Sequence, residues 1–163
     1  MDRILTGQGM KIVDNYTIGE VGIPSMVLME RAALSMTEYI KNVISRDKRV
    51  LCICGTGNNG ADAIAVARQL VCAGYMADIL IVGNEDRGSE EFLTQKSIAT
   101  KCNVEFLDNV TTRESVAYNE VCKKIQKEYD FIVDGIFGIG LSREIEGVVK
   151  DLILYINSIT AKT

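Results

Sequence analysis

The chain has 163 residues, a formal charge of −4 and no basic block. That length suits one domain burying roughly 70% of its unfolded surface, and that charge gives no reason to expect nucleic acid as a partner. No apolar run reaches membrane-spanning length, and Met1-Asp2-Arg3-Ile4 lacks the apolar core of a signal peptide, so a cytoplasmic protein with no membrane partner is expected. Histidine is absent, which excludes a Ser-His-Asp triad and the His-containing zinc sites. Acid–base work falls to carboxylates, Lys, Tyr or Cys. Five cysteines, an odd number, lie mostly inside apolar patterns where a thiol behaves as a small hydrophobe, and no disulfide framework is expected.

The first 45 residues read as helices. Thr6 to Ile18 forms a weak one, and Pro24 opens a stronger one in which Met29, Ala33, Met36, Ile40 and Val43 make one apolar stripe. From Arg49 the pattern becomes an alternation of strands and helices. The first strand, Val50 to Cys54, leads through a glycine-rich loop, Gly55 to Asp62, into a helix from Ile64 to Ala73 with Ile64, Ala67 and Val71 on one face. A second strand, Ala77 to Val82, stops at Gly83. A helix from about Glu90 to Cys102 precedes a short strand, Val104 to Leu107. The segment Thr111 to Tyr129 has a capping-box spacing from Thr111 to Glu114 and an apolar face of Tyr118, Val121, Cys122, Ile125 and Tyr129. The fourth strand, Phe131 to Val133, is followed by a second glycine turn, Gly135 to Leu141, and a last helix carrying Ile145, Val149, Leu152, Ile153 and Ile156. The alternation predicts an α/β fold: a three-layer αβα Rossmann-like arrangement around a mostly parallel sheet, with an N-terminal helical extension.

Right-handed crossovers put every strand-to-helix loop of a parallel sheet on one edge. The loops after strands one and four can then face one crevice, the usual ligand position in open α/β folds. Gly55-x-Gly57-x-x-Gly60 matches the dinucleotide fingerprint, and Glu85 lies near the distance where such folds place a ribose-binding acid. The loop differs from the generic fingerprint in its polar content, Asn58, Asn59 and Asp62. A carboxylate within about 4 Å of a phosphate costs about 1 kcal/mol in water and roughly 4 kcal/mol at an intermediate dielectric. Asp62 is therefore expected to meet hydroxyls, an amide or a cation, the alternative being that it only caps the helix. Asp134 ends an apolar strand and should reach the same edge, with a turn-forming role as its alternative. Arg143 either forks onto a ligand phosphate or is a solvated surface charge. Asn59 and Asp134 offer oxygen donors that suit a hard cation.

Three segments, Leu28-Met29-Glu30-Arg31-Ala32-Ala33, Gly55 to Asp62, and Val133 to Arg143, resemble in order and spacing the YjeF N-terminal domain family, the NAD(P)H-hydrate epimerases. The resemblance spans nearly the whole chain. It implies an isomerase of metabolite repair that interconverts the R and S forms of hydrated NADH or NADPH (NADHX and NADPHX), so that an ATP- or ADP-dependent dehydratase, fused or separate, can restore the cofactor. It implies nucleotide contacts at Asn58, Asn59, Gly60, Ala61 and Asp62, and at Gly138, Ile139, Gly140, Leu141, Ser142, Arg143 and Glu144. It also implies a potassium ion held by Asn59 and Asp134. Where the family usually reads Gly-Gly-Asp-Gly, this chain has Gly60-Ala61-Asp62-Ala63, and the two methyl groups are expected to favour helix while crowding the ligand's approach. The family continues with a strand ending in Asp-Ile-Pro-Ser-Gly, which carries a further cation ligand and an aspartate for proton transfer. No such run occurs in residues 1–163, so a single domain lacking its C-terminal strands is expected, and no catalytic residue is assigned. Two other functions compete. Non-catalytic, dimerising modules share this resemblance, and the Met-rich N-terminal helices offer a homodimer interface. An NAD-dependent dehydrogenase is disfavoured, since nothing supplies a substrate domain or a His-based proton relay.

Overall fold

The computed structural model of the protein describes residues 5–110, 116–142 and 144–159. Helix α1 (Gly7–Gly19) starts where the Thr6 hydroxyl accepts the Gly9 N–H at 3.1 Å. Helix α2 (Ser25–Val43) follows Pro24, whose fixed φ suits a helix start. The alternating part comprises β1 (Arg49–Cys54), α3 (Asn58–Cys72), β2 (Met76–Val82), α4 (Glu90–Lys101), β3 (Glu105–Val110), α5 (Val116–Glu128), β4 (Phe131–Gly135) and α6 (Gly147–Ser158). A single 3₁₀ turn (Glu85–Arg87) lies between β2 and α4. The Ser89 hydroxyl caps α4 by accepting the Phe92 N–H, with Glu90 and Glu91 beside the positive end of the dipole.

The strands pair in the order β3-β2-β1-β4, all parallel, so the sheet is wholly rather than mostly parallel. Successive side chains take opposite faces. Val50, Cys52, Cys54, Ala77, Ile79 and Ile81 meet residues of α2, α3 and α4, including Met29, Ala33, Ile64, Leu70 and Phe92. Leu51, Ile53, Leu80, Val82 and Val110 meet Val121 and Ile125 of α5 and Leu152 of α6. This is the three-layer arrangement that the alternation predicts. β1 at the centre joins two partners on opposite sides, and the chain reverses its direction of travel across the sheet there.

Several boundaries and faces differ from the sequence reading. Met36 (49% exposed) and Val43 (51%) lie outside the α2 stripe, and Thr37 (3%) takes the inner position between Ala33 and Ile40. α3 is buried on most sides, with Ala61, Ala63, Ala65 and Val66 inside as well as Ile64 and Ala67. It lies against the sheet, α2 and α4 at once, and its run of alanines permits that close approach. α3 starts at Asn58, six residues before Ile64. β4 extends through Asp134 to Gly135, and Ile145 precedes α6. The Thr111-to-Glu114 capping spacing lies outside the described residues.

One polar network ties the helical layer together. The Glu30 carboxylate on α2 accepts hydrogen bonds from Arg68, from Gln69 Nε2 at 2.9 Å and from Gln95 Nε2 at 2.9 Å, joining α2, α3 and α4. Burial pushes the Glu30 pKa up, but the hydrogen bonds from Gln95, Arg68 and Gln69 outweigh it and hold the carboxyl below its usual range. A fully buried Gln95 amide needs this acceptor, because an unsatisfied buried donor costs about 1–3 kcal/mol. Glu30→Ala should therefore lower stability by about 1–3 kcal/mol, measured by urea unfolding, with a smaller loss in Glu30→Gln.

Candidate functional site

The carboxyl ends of β1 and β4 lie side by side, with Cys54 opposite Gly135. The Gly55 N–H donates to the Gly135 carbonyl at 3.1 Å, carrying the pairing one residue past the strand. The two glycine segments meet without side chains between them. A Cβ on Gly55 would overlap the Ile136 carbonyl oxygen and lie 3.0 Å from its carbon; one on Gly60 would overlap the Gly55 carbonyl and lie 2.6 Å from its carbon. Gly135 is hemmed in likewise, against Ala63 Cβ and 3.1 Å from the Asn59 carbonyl oxygen. Backbone thus approaches backbone at three positions, which only glycine allows.

The expected long glycine loop is in fact short. Only Gly55 to Gly57 connect strand and helix, with Gly57 as N-cap, and Asn58 to Asp62 form the first turns of α3. No side chain caps this end of the helix. Its free N–H groups and the positive end of the dipole therefore face the crevice between β1 and β4. Asn58 is exposed, while Asn59 reaches across and donates from Nδ2 to the Phe137 carbonyl at 3.0 Å. This hydrogen bond ties the helix start to the second glycine turn and leaves the amide oxygen of Asn59 without a partner among the described residues. Gly138 opens the space beside it, since a Cβ there would lie 3.3 Å from Asn59 Cβ.

The Cα side of Gly60 and the methyl of Ala61 face the interior. Gly60 is the point of helix–strand contact, Ala61 is 0% exposed, and the Ala61 N–H is used within the helix on the Gly57 carbonyl. The expectation that the Ala61 and Ala63 methyls crowd a ligand is overturned, because both point into the core. Asp62 does not cap the helix either; it forms no hydrogen bond or ion pair among the described residues. Burial pushes its carboxyl up from 3.8 to about 6.

In the second turn, the Asp134 carboxylate is exposed at the end of β4, and Oδ1 accepts the Ile136 N–H at 3.0 Å. That leaves Oδ2 open to solvent. Gly138, Ile139, Gly140, Leu141, Ser142 and Glu144 are all exposed, with Ile139 touching the start of α1 beside Gly7. Arg143 lies outside the described residues. The oxygen donors of this edge are the Asp134 carboxylate, the Asn59 amide oxygen and backbone carbonyls. No cluster of three His, Cys, Asp or Glu occurs among the described residues. An all-oxygen set fits a hard cation and gives nothing for a thiolate- or imidazole-seeking metal. Cys52 and Cys54 are buried, and burial pushes their thiols up, Cys52 to about 12.

Sequence reasoning missed the Phe137 carbonyl and the Thr56 carbonyl, which accepts the Ser89 N–H at 2.9 Å and ties the first loop to α4. Neither carries a side-chain signal, and both depend on strand order.

Fold and site define an open parallel α/β domain whose two glycine turns meet at the carboxyl edge of the sheet, where strand order reverses. Residues 25–163 match the family model described as YjeF-related protein N-terminus, and the chain belongs to that family. It is similar to NAD(P)H-hydrate epimerases of two lactobacilli. The protein of Limosilactobacillus reuteri (strain ATCC 55730 / SD2112) is 39% identical over 158 residues, covering 96% of this chain and 68% of the relative. The protein of Limosilactobacillus fermentum is 33% identical over 157 residues, covering 96% and 69%. The crystal structure of yeast ynu0, YNL200c, shares the fold with a TM-score of 0.81 at 21% identity, covering 97% of this chain and 66% of the yeast chain. No helix among the described residues is long and apolar enough to cross a membrane.

The raised Asp62 pKa has a consequence for stability. A carboxyl whose folded pKa exceeds its unfolded value of 3.8 stabilises most below that value, and the contribution is lost as pH rises through about 6. Asp62→Asn, which removes the half-buried charge, should gain melting temperature over the wild type as pH rises from 4 to 6, then hold that gain above 7. Thermal melts across this range check it; a pH-independent difference would contradict it.

Proposed function

We propose that the chain acts on hydrated NADH or NADPH and interconverts their R and S forms. The main support is the crevice itself, where the uncapped N-terminus of α3 meets the β4 turn through the bond from Asn59 to Phe137. The names of the relatives give the reaction. The helix N-terminus suits the nucleotide's phosphates, and Asn58 and the exposed Gly138–Leu141 turn line its path. Ser142, Arg143 and Glu144 continue that turn in sequence. Gly60 and Ala61 support the crevice from within.

Hydration gives the nicotinamide ring a carbon bearing a hydroxyl, and exchanging its two forms needs a proton delivered to the departing oxygen and one taken from the returning water. Asp62, without a partner among the described residues and with a pKa pushed up to about 6 by burial, is suited to hold that proton near neutral pH. A carboxylate serves hydroxyls better than phosphates, so Asp62 suits the hydroxyl-bearing part of the substrate. Potassium fits the oxygen donors of Asn59 and Asp134; when bound it supplies positive charge beside the nucleotide. An ATP- or ADP-dependent dehydratase is the reaction class that uses the product.

No Asp-Ile-Pro-Ser-Gly run occurs in residues 1–163, so binding and turnover are measured separately. NADHX should bind more tightly in potassium than in an equal concentration of a bulky organic cation, and Asp62→Asn should slow R-to-S conversion at least tenfold with a smaller change in affinity. Binding without turnover assigns the chain the nucleotide site alone. No binding in either salt contradicts the reading.

A second reading, a dimerising module, has its own support. α1 buries none of its residues, and Ile12 (64% exposed), Tyr16 (61%) and Tyr39 (60%) belong to a run of exposed apolar side chains along α1 and α2. Surfaces of this kind mark interaction sites more often than free solvent-facing surface. Sedimentation should give a homodimer that Ile12→Glu or Tyr39→Glu converts to monomer; a monomeric wild type contradicts this second role.

A further inference from the structure

The two glycine turns occupy the carboxyl edge of the sheet; the opposite, amino edge brings two cysteines together. β1 and β2 are parallel neighbours, and the helices that follow them, α3 and α4, pack side by side on one face of the sheet. Both helices run back toward the amino edge and end there. They also end in the same way. A left-handed residue turns the chain, Gly74 after α3 (φ +81°) and Asn103 after α4 (φ +57°). The N–H of the next residue then donates to a carbonyl of the last helical turn, Tyr75 to Leu70 at 3.0 Å and Val104 to Ala99 at 3.1 Å. Cys72 is the last residue of α3, and Cys102 is the C-cap of α4. Equivalent ends of two packed helices thus carry one thiol each, on backbone that these closing hydrogen bonds hold in place.

The two thiols share a hydrogen bond. Neither is in a disulfide; Cys72 is exposed, and Cys102 is half-buried against the core of the helical layer. The other three cysteines are set apart from them. Cys52 and Cys54 are buried in β1, and Cys122 lies on α5, which packs on the other face of the sheet. Burial pushes the Cys72 thiol above its ordinary range and the bond to Cys102 adds to this, while Arg68 one turn back pulls it down. Such a thiol reacts slowly at rest, because the thiolate is the nucleophile, yet its resolving partner is already beside it.

We propose that Cys72 and Cys102 form a redox modification site, closing to a reversible disulfide that links α3 to α4 when the protein meets hydrogen peroxide. The exposed Cys72 reacts first: its thiolate sulfur attacks one peroxide oxygen, the O–O bond breaks, and sulfenic acid and water result. The Cys102 sulfur then attacks the sulfenic sulfur. The S–S bond forms, the S–O bond breaks, and hydroxide leaves as water with the Cys102 proton. Two thiols and one peroxide give one disulfide and two waters, the sulfurs losing the two electrons that the peroxide gains. Capture by Cys102 spares Cys72 the further step to sulfinic acid, which thiol reductants do not reverse. The site lies at the edge away from the two glycine turns and stands independently of the nucleotide reading.

Brief treatment of the purified chain with hydrogen peroxide, quenched by alkylation and mapped as non-reduced peptides, tests this. Free thiols should fall from the five of the reduced chain by one pair, and the peptides joining Cys72 to Cys102 should exceed any other linked pair at least tenfold. Dithiothreitol should restore all five. Cys122→Ser should cross-link as the wild type does, Cys72→Ser should lose the linkage, and Cys102→Ser should leave Cys72 to gain oxygen as sulfenic and then sulfinic acid. A wild type that gains oxygen at Cys72 while Cys102 stays free would overturn the proposal. So would a majority of linkages between any other pair, those joining Cys72 of two molecules included.

Discussion

Everything at the site depends on three missing side chains. Gly55, Gly60 and Gly135 let β1, α3 and β4 touch through their backbones, and a single methyl group at any of them would overlap a backbone oxygen or the methyl of Ala63. With the backbones this close, β4 pairs with β1 through Gly55, and the start of α3 lies over the gap between them. Displace one, and the Asn59 amide no longer reaches the Phe137 carbonyl. The positive end of the helix, the Asp134 carboxylate and the exposed second turn are placed by this contact. It also explains how the chain accommodates alanine beside glycine and aspartate. Ala61 and Ala63 sit on the inner face of α3, where Gly135 leaves just enough room for the Ala63 methyl.

The rest of the fold holds α3 in that position. Its alanine-rich sides permit packing against the sheet, α2 and α4 together, and the Glu30 network fastens its middle to both neighbouring helices. On the opposite edge of the sheet, Asp78 is 5% exposed and accepts hydrogen bonds from Arg49 at 2.7 Å and from the Tyr129 hydroxyl at 2.7 Å. This pairs β1, β2 and the end of α5 far from the crevice. Structural charge is thus satisfied at the amino edge, while at the carboxyl edge the half-buried Asp62 carboxylate has no partner among the described residues.

Local patterning made much of this legible. The alternation of strands and helices, and the punctuation by Gly55, Gly83 and Gly135, locate the elements because hydrophobic period and glycine position are local properties. Helix starts were less legible. Asn58 to Asp62 reads as loop because Asn and Gly disfavour helix, yet packing of Gly60 on β1 draws them into the first turns of α3. Thr37 in place of Met36 shows the same limit, since a stripe is fixed by the neighbours it faces. Strand order is a long-range property that one sequence does not encode visibly, so the convergence of the two glycine turns is an inference from parallel topology, and the Glu30 network has no local signal at all. The family motifs reached further than the periodicity, since they join three segments that only the fold brings together.

The central claim is that the first turn of α3 and the turn after β4 form one nucleotide site. Hydrogen exchange of the chain with and without NADHX, followed peptide by peptide, addresses it most directly. The account predicts slowed exchange in residues 55–62 and in 136–142 together, at the same half-saturating concentration. Slowing in one segment without the other, or confined to α1 and α2, would contradict it.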